Sequence, residues 1–368
     1  MARAGQLPIE GAREASVDAP REILVRAPNW VGDIVMATPG LRALRAGYPA
    51  ARITVQARAE HLELLAGAPF VDRIRAVESY HRGPLAMLSE AARLRVSVRY
   101  DLGICIPDSF SSALLMRLAG VERVCGYRRG GRAALLHRAI DPPADWPELA
   151  AGRRMVARER FVLDLMAALG CAPRGDALEL TVTPSEARAL EALRGDRASL
   201  DFDRPWVALA PGAAYGPAKL WPAEHFAAVG DALARAGAQV LVIGAASERP
   251  VAAAVVRAMR EAPVDLVGRI GLGALKALVS RLRLLVCNDA GARHVAAAFE
   301  VPSIVFFGPT SVAKTDCNLD AVEVFERAVS CRPCYRRSCP IDHACLRGIE
   351  PGPVIERATK ILAQAPPR

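Results

Sequence analysis

The feature that most constrains this chain is one rhythm used twice: short β-branched runs alternate with Ala-, Leu- and Arg-rich stretches of helical period. Parallel strands joined by helical crossovers produce that pattern, because parallel neighbours need a helix-length connection between them. In the first half the strand candidates are ILVRA from Ile23, RITVQAR from Arg52, RIRAV from Arg73 and DLGICIPD from Asp101. Among the helices between them, LRALRAGYP from Leu41 ends at Gly47 and is stopped by Pro49. The rhythm restarts after a polar, proline-bounded stretch from Thr183 to Pro205. WVALAPG, QVLVIGA, DLVGRI, LRLLVCNDA and SIVFFGPT are the strands of the second half.

A chain of 368 residues exceeds what one hydrophobic core supports. The expectation is therefore an α/β protein of two doubly wound lobes facing a cleft, with ligands at the strand C-terminal ends. The segments expected are a disordered tail over 1–20, an N-terminal lobe over 21–180, a linker over 181–205 and a C-terminal lobe over 206–350. Residues 351–368 read as an amphipathic helix packing back across the lobes. The tail contains acids and lacks the apolar stretch of a secretory signal. No run approaches the roughly 18 apolar residues of a spanning helix. Nine cysteines make an odd count for a secreted disulfide framework, so a reducing cytoplasm is expected.

The net charge is +9, the pI is about 9.3, and every basic residue before position 180 is arginine. Such a chain favours acidic partners: nucleic acid, an anionic membrane surface or phosphorylated substrates. With aromatic residues at 5% and no RNA-binding signature, stacking on bases has no support, so no nucleic-acid partner is expected. Phosphates and lipid headgroups remain.

Five segments carry candidate chemistry. In APNWVGDIVMATPG, Asp33 follows a strand end, where a carboxylate can take a proton from an attacking hydroxyl. Helix starts also favour Asp as a cap, and local sequence leaves both roles open. In ALAPGAAYGPAKLWP, a glycine-rich turn containing Gly212 precedes Lys219, an arrangement suited to a diphosphate, although Lys219 also reads as an ordinary exposed lysine. In LVCNDAGARHVAAAFE, the residues Asp289, Ala290, Gly291 and His294 converge on one helix start, a geometry suited to a sugar diphosphate; a cap and a core histidine are the plainer readings.

The fourth segment is CRPCYRRSCPIDHAC. Cys331, Cys334, Cys339 and Cys345, with His343, supply enough ligands for a tetrahedral structural zinc. The irregular spacing leaves an iron–sulfur cluster, a pair of disulfides or free thiols as alternatives. In the fifth, RVCGYRRGGRAALLHRAI, the arginines Arg128, Arg129 and Arg132 flank Gly130 and Gly131. They read as a loop that binds anionic oxygens or as a solvated charged face.

Taken in order, NWVGD, PGAAYGPAKLWP, NDAGxxH and FGPTS resemble the ADP-heptose:lipopolysaccharide heptosyltransferases, glycosyltransferase family 9. The likeness spans nearly the whole chain, and the PGAxxGPAKxWP form looks most like the branch that adds the second heptose. It implies the GT-B architecture of two Rossmann-like lobes, acceptor on the N-terminal one and ADP-heptose on the C-terminal one. By motif, Asp33 would be the general base of an inverting transfer and Lys219 the cation beside the diphosphate, assisted by backbone N–H groups at Ala290 and Gly291. Asp289 would hold the donor heptose, His294 would support that loop, and Glu248 in IGAASERP would meet the ribose. Arg128, Arg129 and Arg132 fall in the region resembling the acceptor loop. Ala290 stands where the family commonly has Ser or Thr, so a hydroxyl is missing there. No cofactor would be required for catalysis, and the acceptor, a Kdo-lipid A inner core, would bring the protein to the cytoplasmic face of the inner membrane.

Other classes make different demands. A Rossmann-type oxidoreductase needs GxGxxG after the first strand and an acid about 20 residues on, and neither is present. A non-enzymatic nucleotide-sugar-binding protein need not keep both Asp33 and Lys219. A related transferase with another nucleotide sugar or another core acceptor would share every motif.

Overall fold

The structure, a computed structural model, describes residues 19–77, 80–146, 148–149, 153–154, 156–194 and 200–364. Most of the tail expected over 1–20 lies outside them, as do 195–199 of the linker and 365–368 at the C-terminus.

Two six-stranded parallel sheets form the frame. The first comprises β1 (Glu22–Arg26), β2 (Arg52–Arg58), β3 (Arg73–Val77), β4 (Leu102–Cys105), β5 (Arg123–Tyr127) and β6 (Arg138–Ile140), in the order β3-β2-β1-β4-β5-β6. A two-stranded antiparallel ladder, β7 (Glu148–Leu149) with β8 (Arg153–Arg154), stands apart. The second sheet comprises β9 (Trp206–Ala210), β10 (Gln239–Val242), β11 (Val264–Asp265), β12 (Leu284–Asn288), β13 (Ser303–Phe307) and β14 (Val322–Glu326), ordered β11-β10-β9-β12-β13-β14. Each sheet thus reverses direction once, between β1 and β4 and between β9 and β12. Those switch points are where doubly wound sheets leave a crevice at their strand C-terminal ends.

The central strands are buried on both faces, which is why they read as continuous apolar runs such as LLVCN and SIVFF. Besides the short β7–β8 ladder, three strands of the two large sheets escaped the sequence reading. RVCGY and RAI, taken for an arginine loop, are β5 and β6, and VEVFE is β14. The stretch expected as a linker contains a helix. Pro184–Glu191 is a helix with a capping box: Thr183 Oγ1 accepts from Glu186 N at 3.3 Å, and Glu186 Oε2 accepts from Thr183 N at 2.8 Å.

One apolar cluster runs through both lobes, from Ile23 and Val55 through Leu200 and Trp206 to Val295 and Phe307. The final helix, Pro351–Gln364, buries Val354, Ala358 and Leu362 in a second cluster with Phe226, Val229 and Leu233. Its apolar face therefore packs on the helix Ala223–Arg235 of its own lobe.

Candidate functional site

β9 leads into Pro211-Gly212 and a loop that ends in the short turn Pro217–Lys219. Gly216 has φ +146, and a Cβ there would lie 2.6 Å from the Arg337 carbonyl oxygen, so only glycine lets the two segments approach. Asn288, wholly buried at the end of β12, pins this loop across the switch point. Its side chain donates to Pro211 O at 2.8 Å and accepts from Trp221 N at 3.0 Å. Trp221 in turn stacks on Phe306, with ring centroids 3.9 Å apart.

That clamp delivers Lys219 to Asp289. Lys219 Nζ lies 2.5 Å from Asp289 Oδ2 and 2.8 Å from its backbone oxygen. Thr310 donates its hydroxyl to the same carboxylate oxygen at 2.8 Å, and Arg293 Nε stands 3.4 Å from Oδ1. Burial alone would raise the Asp289 carboxyl; Lys219, Arg293 and the Thr310 hydroxyl overcome it and hold the group below the ordinary carboxylate range. His294, in the helix Gly291–Ala297 that follows, is driven well below the usual imidazole value by burial and then by Arg293, so its ring is neutral.

Asp33 comes from the other lobe, in the first turn of the helix Val31–Met36. Its carboxylate lies 3.5 Å from Arg158 Nη2. The two lobes touch here through glycines. A Cβ on Gly32 would come within 2.8 Å of the His294 ring, and one on Gly291 within 3.2 Å of Val31 Cβ. Between them opens a cavity of about 690 Å³ lined by Asp33, Lys219, Asp289, Ala290, Gly291 and His294.

The same cavity holds residues to which motif reading gave no role: Tyr215 and Thr310 inside the motifs, and Lys314, Tyr335 and Arg337 outside them. One signal was available. The chain has four lysines, Lys219, Lys276, Lys314 and Lys360, among 48 basic residues. Two of the four line this cavity. A third, Lys276, is fully buried at the lobe junction, where it pairs with Glu186 at 3.0 Å and donates to the carbonyls of Glu63 and Ala66. Lysine in an arginine-dominated chain marks places that suit a compact, flexible point charge.

The remaining expected residues are dispersed. Glu248 abuts the glycine-rich loop from behind: a Cβ on Gly212 would meet its carboxylate at 2.2 Å, and burial raises its pKa. Arg128 is exposed and paired with Asp141 at 2.8 Å, while Arg129 faces Asp108 at 3.7 Å. Arg132 is wholly buried. Its guanidinium is occupied by the carbonyls of Tyr127, Pro107 and Ser109, by Ser112 Oγ and by Asp108, so it anchors the loop from inside rather than presenting a free fork to a ligand.

The cysteine run does not form the expected zinc site. Among the described residues no group of three or more His, Cys, Asp or Glu side chains is placed to hold a metal, and all nine cysteines are free thiols. Cys345 is buried in the lobe, Cys331 is exposed, and His343 Nε2 donates to Ala218 O at 2.7 Å. The segment acts instead as a wall of the cavity. Arg337 O accepts from Ala218 N at 2.9 Å, the Tyr215 hydroxyl donates to Tyr335 O, and Pro333, Cys334, Tyr335 and Arg337 face the opening.

The family profile described as glycosyltransferase family 9 (heptosyltransferase) matches residues 90–345. The chain belongs to glycosyltransferase family 9. It is 33% identical over 303 residues to lipopolysaccharide heptosyltransferase 2 of Salmonella typhimurium, covering 79% of this chain and 83% of that protein. To lipooligosaccharide heptosyltransferase 2 of Haemophilus influenzae it is 32% identical over 301 residues, 78% of this chain and 84% of the other. The solved ADP-heptose lps heptosyltransferase II of E. coli superimposes with a TM-score of 0.77 at 28% identity, covering 93% of this chain and 99% of that one. This family 9 glycosyltransferase therefore has the two-lobed GT-B frame its motifs implied. Among its described residues no helix is long and apolar enough to cross a membrane.

Proposed function

We propose that this family 9 glycosyltransferase moves L-glycero-D-manno-heptose from ADP-heptose to the heptose/Kdo inner core of lipopolysaccharide, in the manner of heptosyltransferase II. The observation that carries the reading is that Asp33 of one lobe and the Lys219–Asp289 pair of the other line one cavity where the lobes meet. The N-terminal lobe takes the acceptor and the C-terminal lobe the donor. Asp33 removes the proton from the acceptor hydroxyl as its oxygen bonds to the anomeric carbon. The bond from that carbon to the diphosphate breaks, and ADP leaves with the electron pair from the opposite face, which inverts the centre.

Lys219, Lys314 and Arg337 are the cations that meet the charge developing on the diphosphate, with the backbone N–H groups at Ala290 and Gly291 beside them. Asp289, kept ionised by its partners, accepts from donor sugar hydroxyls, and neutral His294 supports the loop without adding charge. Glu248 takes the ribose, reached past Gly212. Arg128 and Arg129 serve the acceptor's phosphate and carboxylate groups, on a loop shaped by Arg132. Because that acceptor is lipid-anchored, the enzyme works at the cytoplasmic face of the inner membrane.

Transfer from ADP-heptose to a Kdo-bearing, mono-heptosylated lipid A tests this, with Asp33→Ala beside the wild type. Loss of a general base lowers turnover about 10²- to 10⁴-fold while ADP binding persists. A wild type that binds ADP-heptose yet does not use this acceptor overturns the acceptor assignment.

A further inference from the structure

The described residues include seven large apolar side chains that stand exposed, and five of them sit on two neighbouring helices of the N-terminal lobe. Leu85, Leu88 and Val96 are 82%, 53% and 87% exposed on the helix Pro84–Ser97. Phe110 and Leu118 are 50% and 38% exposed on the helix Phe110–Leu118, which packs beside it.

The first helix is apolar on two opposite sides. Met87, Ala91 and Leu94 point into the lobe, as the core face of a crossover helix must. Leu85, Leu88, Ala92 and Val96, spaced by three, four and four residues, form a second stripe turned to solvent. On the helix surface Arg95 borders one side of that stripe and Arg93 the other. Arg82 precedes it, Arg99 follows it, and Arg117 stands exposed on the neighbouring helix. Neither helix carries an acid on its exposed face: their single carboxylate, Glu90, is buried and accepts from Gln56 Nε2 at 2.8 Å. Among the described residues Glu122, 3.8 Å from Arg99, offsets one of these charges.

We infer that this face is a docking surface for an anionic lipid bilayer, the stripe entering the acyl boundary and the arginines meeting the headgroups. An apolar band between cationic flanks, lying on the surface and too short to span, is the form of an interfacial helix. A protein partner chosen by the same surface would have to be both apolar and acidic, whereas a bilayer containing anionic lipid supplies both at once. Position agrees: through Ala86 and Ser89 the same helix borders a second cavity, of about 620 Å³, that also holds Arg26, Arg58 and Arg82. Docking here sets the strand C-terminal ends of the acceptor lobe beside the membrane. The inference deepens the proposed function, which supplies a lipid-anchored acceptor.

The test is co-sedimentation of the full chain with vesicles of phosphatidylethanolamine and phosphatidylglycerol, against phosphatidylcholine alone. Wild type sediments with the anionic vesicles and much less with the neutral ones, and salt releases it. The double variant L85E/V96E lowers partition roughly tenfold or more. R95Q/R99Q lowers it about fivefold per arginine. Both variants keep the wild-type circular dichroism and the wild-type transfer rate to a deacylated, water-soluble acceptor. Wild type left in the supernatant, or variants that sediment as it does, overturns the inference. So does a wild-type dimer that L85E/V96E converts to monomer with vesicle binding unchanged, since the stripe would then cover a second copy of the chain. Vesicle binding by a wild type that fails on the soluble acceptor sinks the transferase reading and leaves the docking surface standing.

Discussion

The two lobes share one strand order, yet their switch points are furnished differently. At the N-terminal one Asp33 is a quarter exposed and, among the described residues, its ion pair is with Arg158 at 3.5 Å. At the C-terminal one Asp289 is buried in a mesh of Lys219, Arg293 and Thr310, and Asn288 fixes the loop that brings Lys219 to it. An accessible, lightly held base suits a proton that must pass to and from a substrate. A rigid, pre-paired set of charges suits a leaving group whose charge must be met without reorganisation. The same scaffold gives both because its loops, rather than its strands, carry the chemistry.

The contrast is sharpest if the two ends fail in different ways. Asp33→Asn keeps the shape of the side chain and should cut kcat about 10²- to 10⁴-fold with donor affinity intact. Asp289→Asn should raise the KM for the donor as well, and identical kinetic signatures from the two variants would break the contrast. Cutting the joint between the lobes is the next largest effect. Lys276→Met strands Glu186 and two carbonyls of the other lobe, and urea unfolding should report a loss of about 3–5 kcal/mol. A loss below about 1 kcal/mol would show that the lobes do not lean on this bridge.

Within the donor end, Lys314→Met should weaken ADP binding about tenfold in calorimetry, with AMP less affected and arginine restoring part of the loss. Equal affinities would confine the diphosphate to Lys219 and Arg337. The last effect concerns Glu159, beside Arg158. It is fully buried, both carboxylate oxygens lack partners among the described residues, and burial pushes its pKa up to about 7. The folded state therefore holds this proton after the unfolded chain has released it. Stability on this account falls as pH rises from about 4.5 to about 7 and stays lower above. Glu159→Gln should flatten that slope and stabilise the protein above pH 7 by roughly 1–3 kcal/mol. An unchanged stability–pH curve would mean that the carboxyl is satisfied after all.

Much of this was legible in the residues. Parallel strands buried on both faces must be apolar throughout, so LLVCN and SIVFF announced themselves, and turn glycines marked the loops that follow. β5 and β6 did not, because RVCGY and the three-residue RAI flank the run of arginines and glycines Arg128–Arg132, whose loop character masked the strands on either side. Arg132 misled for a related reason: sequence shows a guanidinium but not whether carbonyls of its own loop surround it. The cysteine run misled by composition, since ligand type was right and convergence was absent. Lys314 and Arg337 lie far from Asp33 in the chain; the turn that follows β13 brings Lys314 to the cavity, and the folding of the cysteine segment onto the glycine-rich loop brings Arg337.

The apolar cluster that runs through both lobes also bears on how the protein is made. Synthesis completes the N-terminal lobe first, while residues such as Leu64, Leu65 and Phe70 belong to a core that ends in Val295 and Phe307. Until the second lobe leaves the ribosome, the first has part of its core still missing. Nascent chains of this enzyme should accordingly be sticky for most of their synthesis and become safe only near its end.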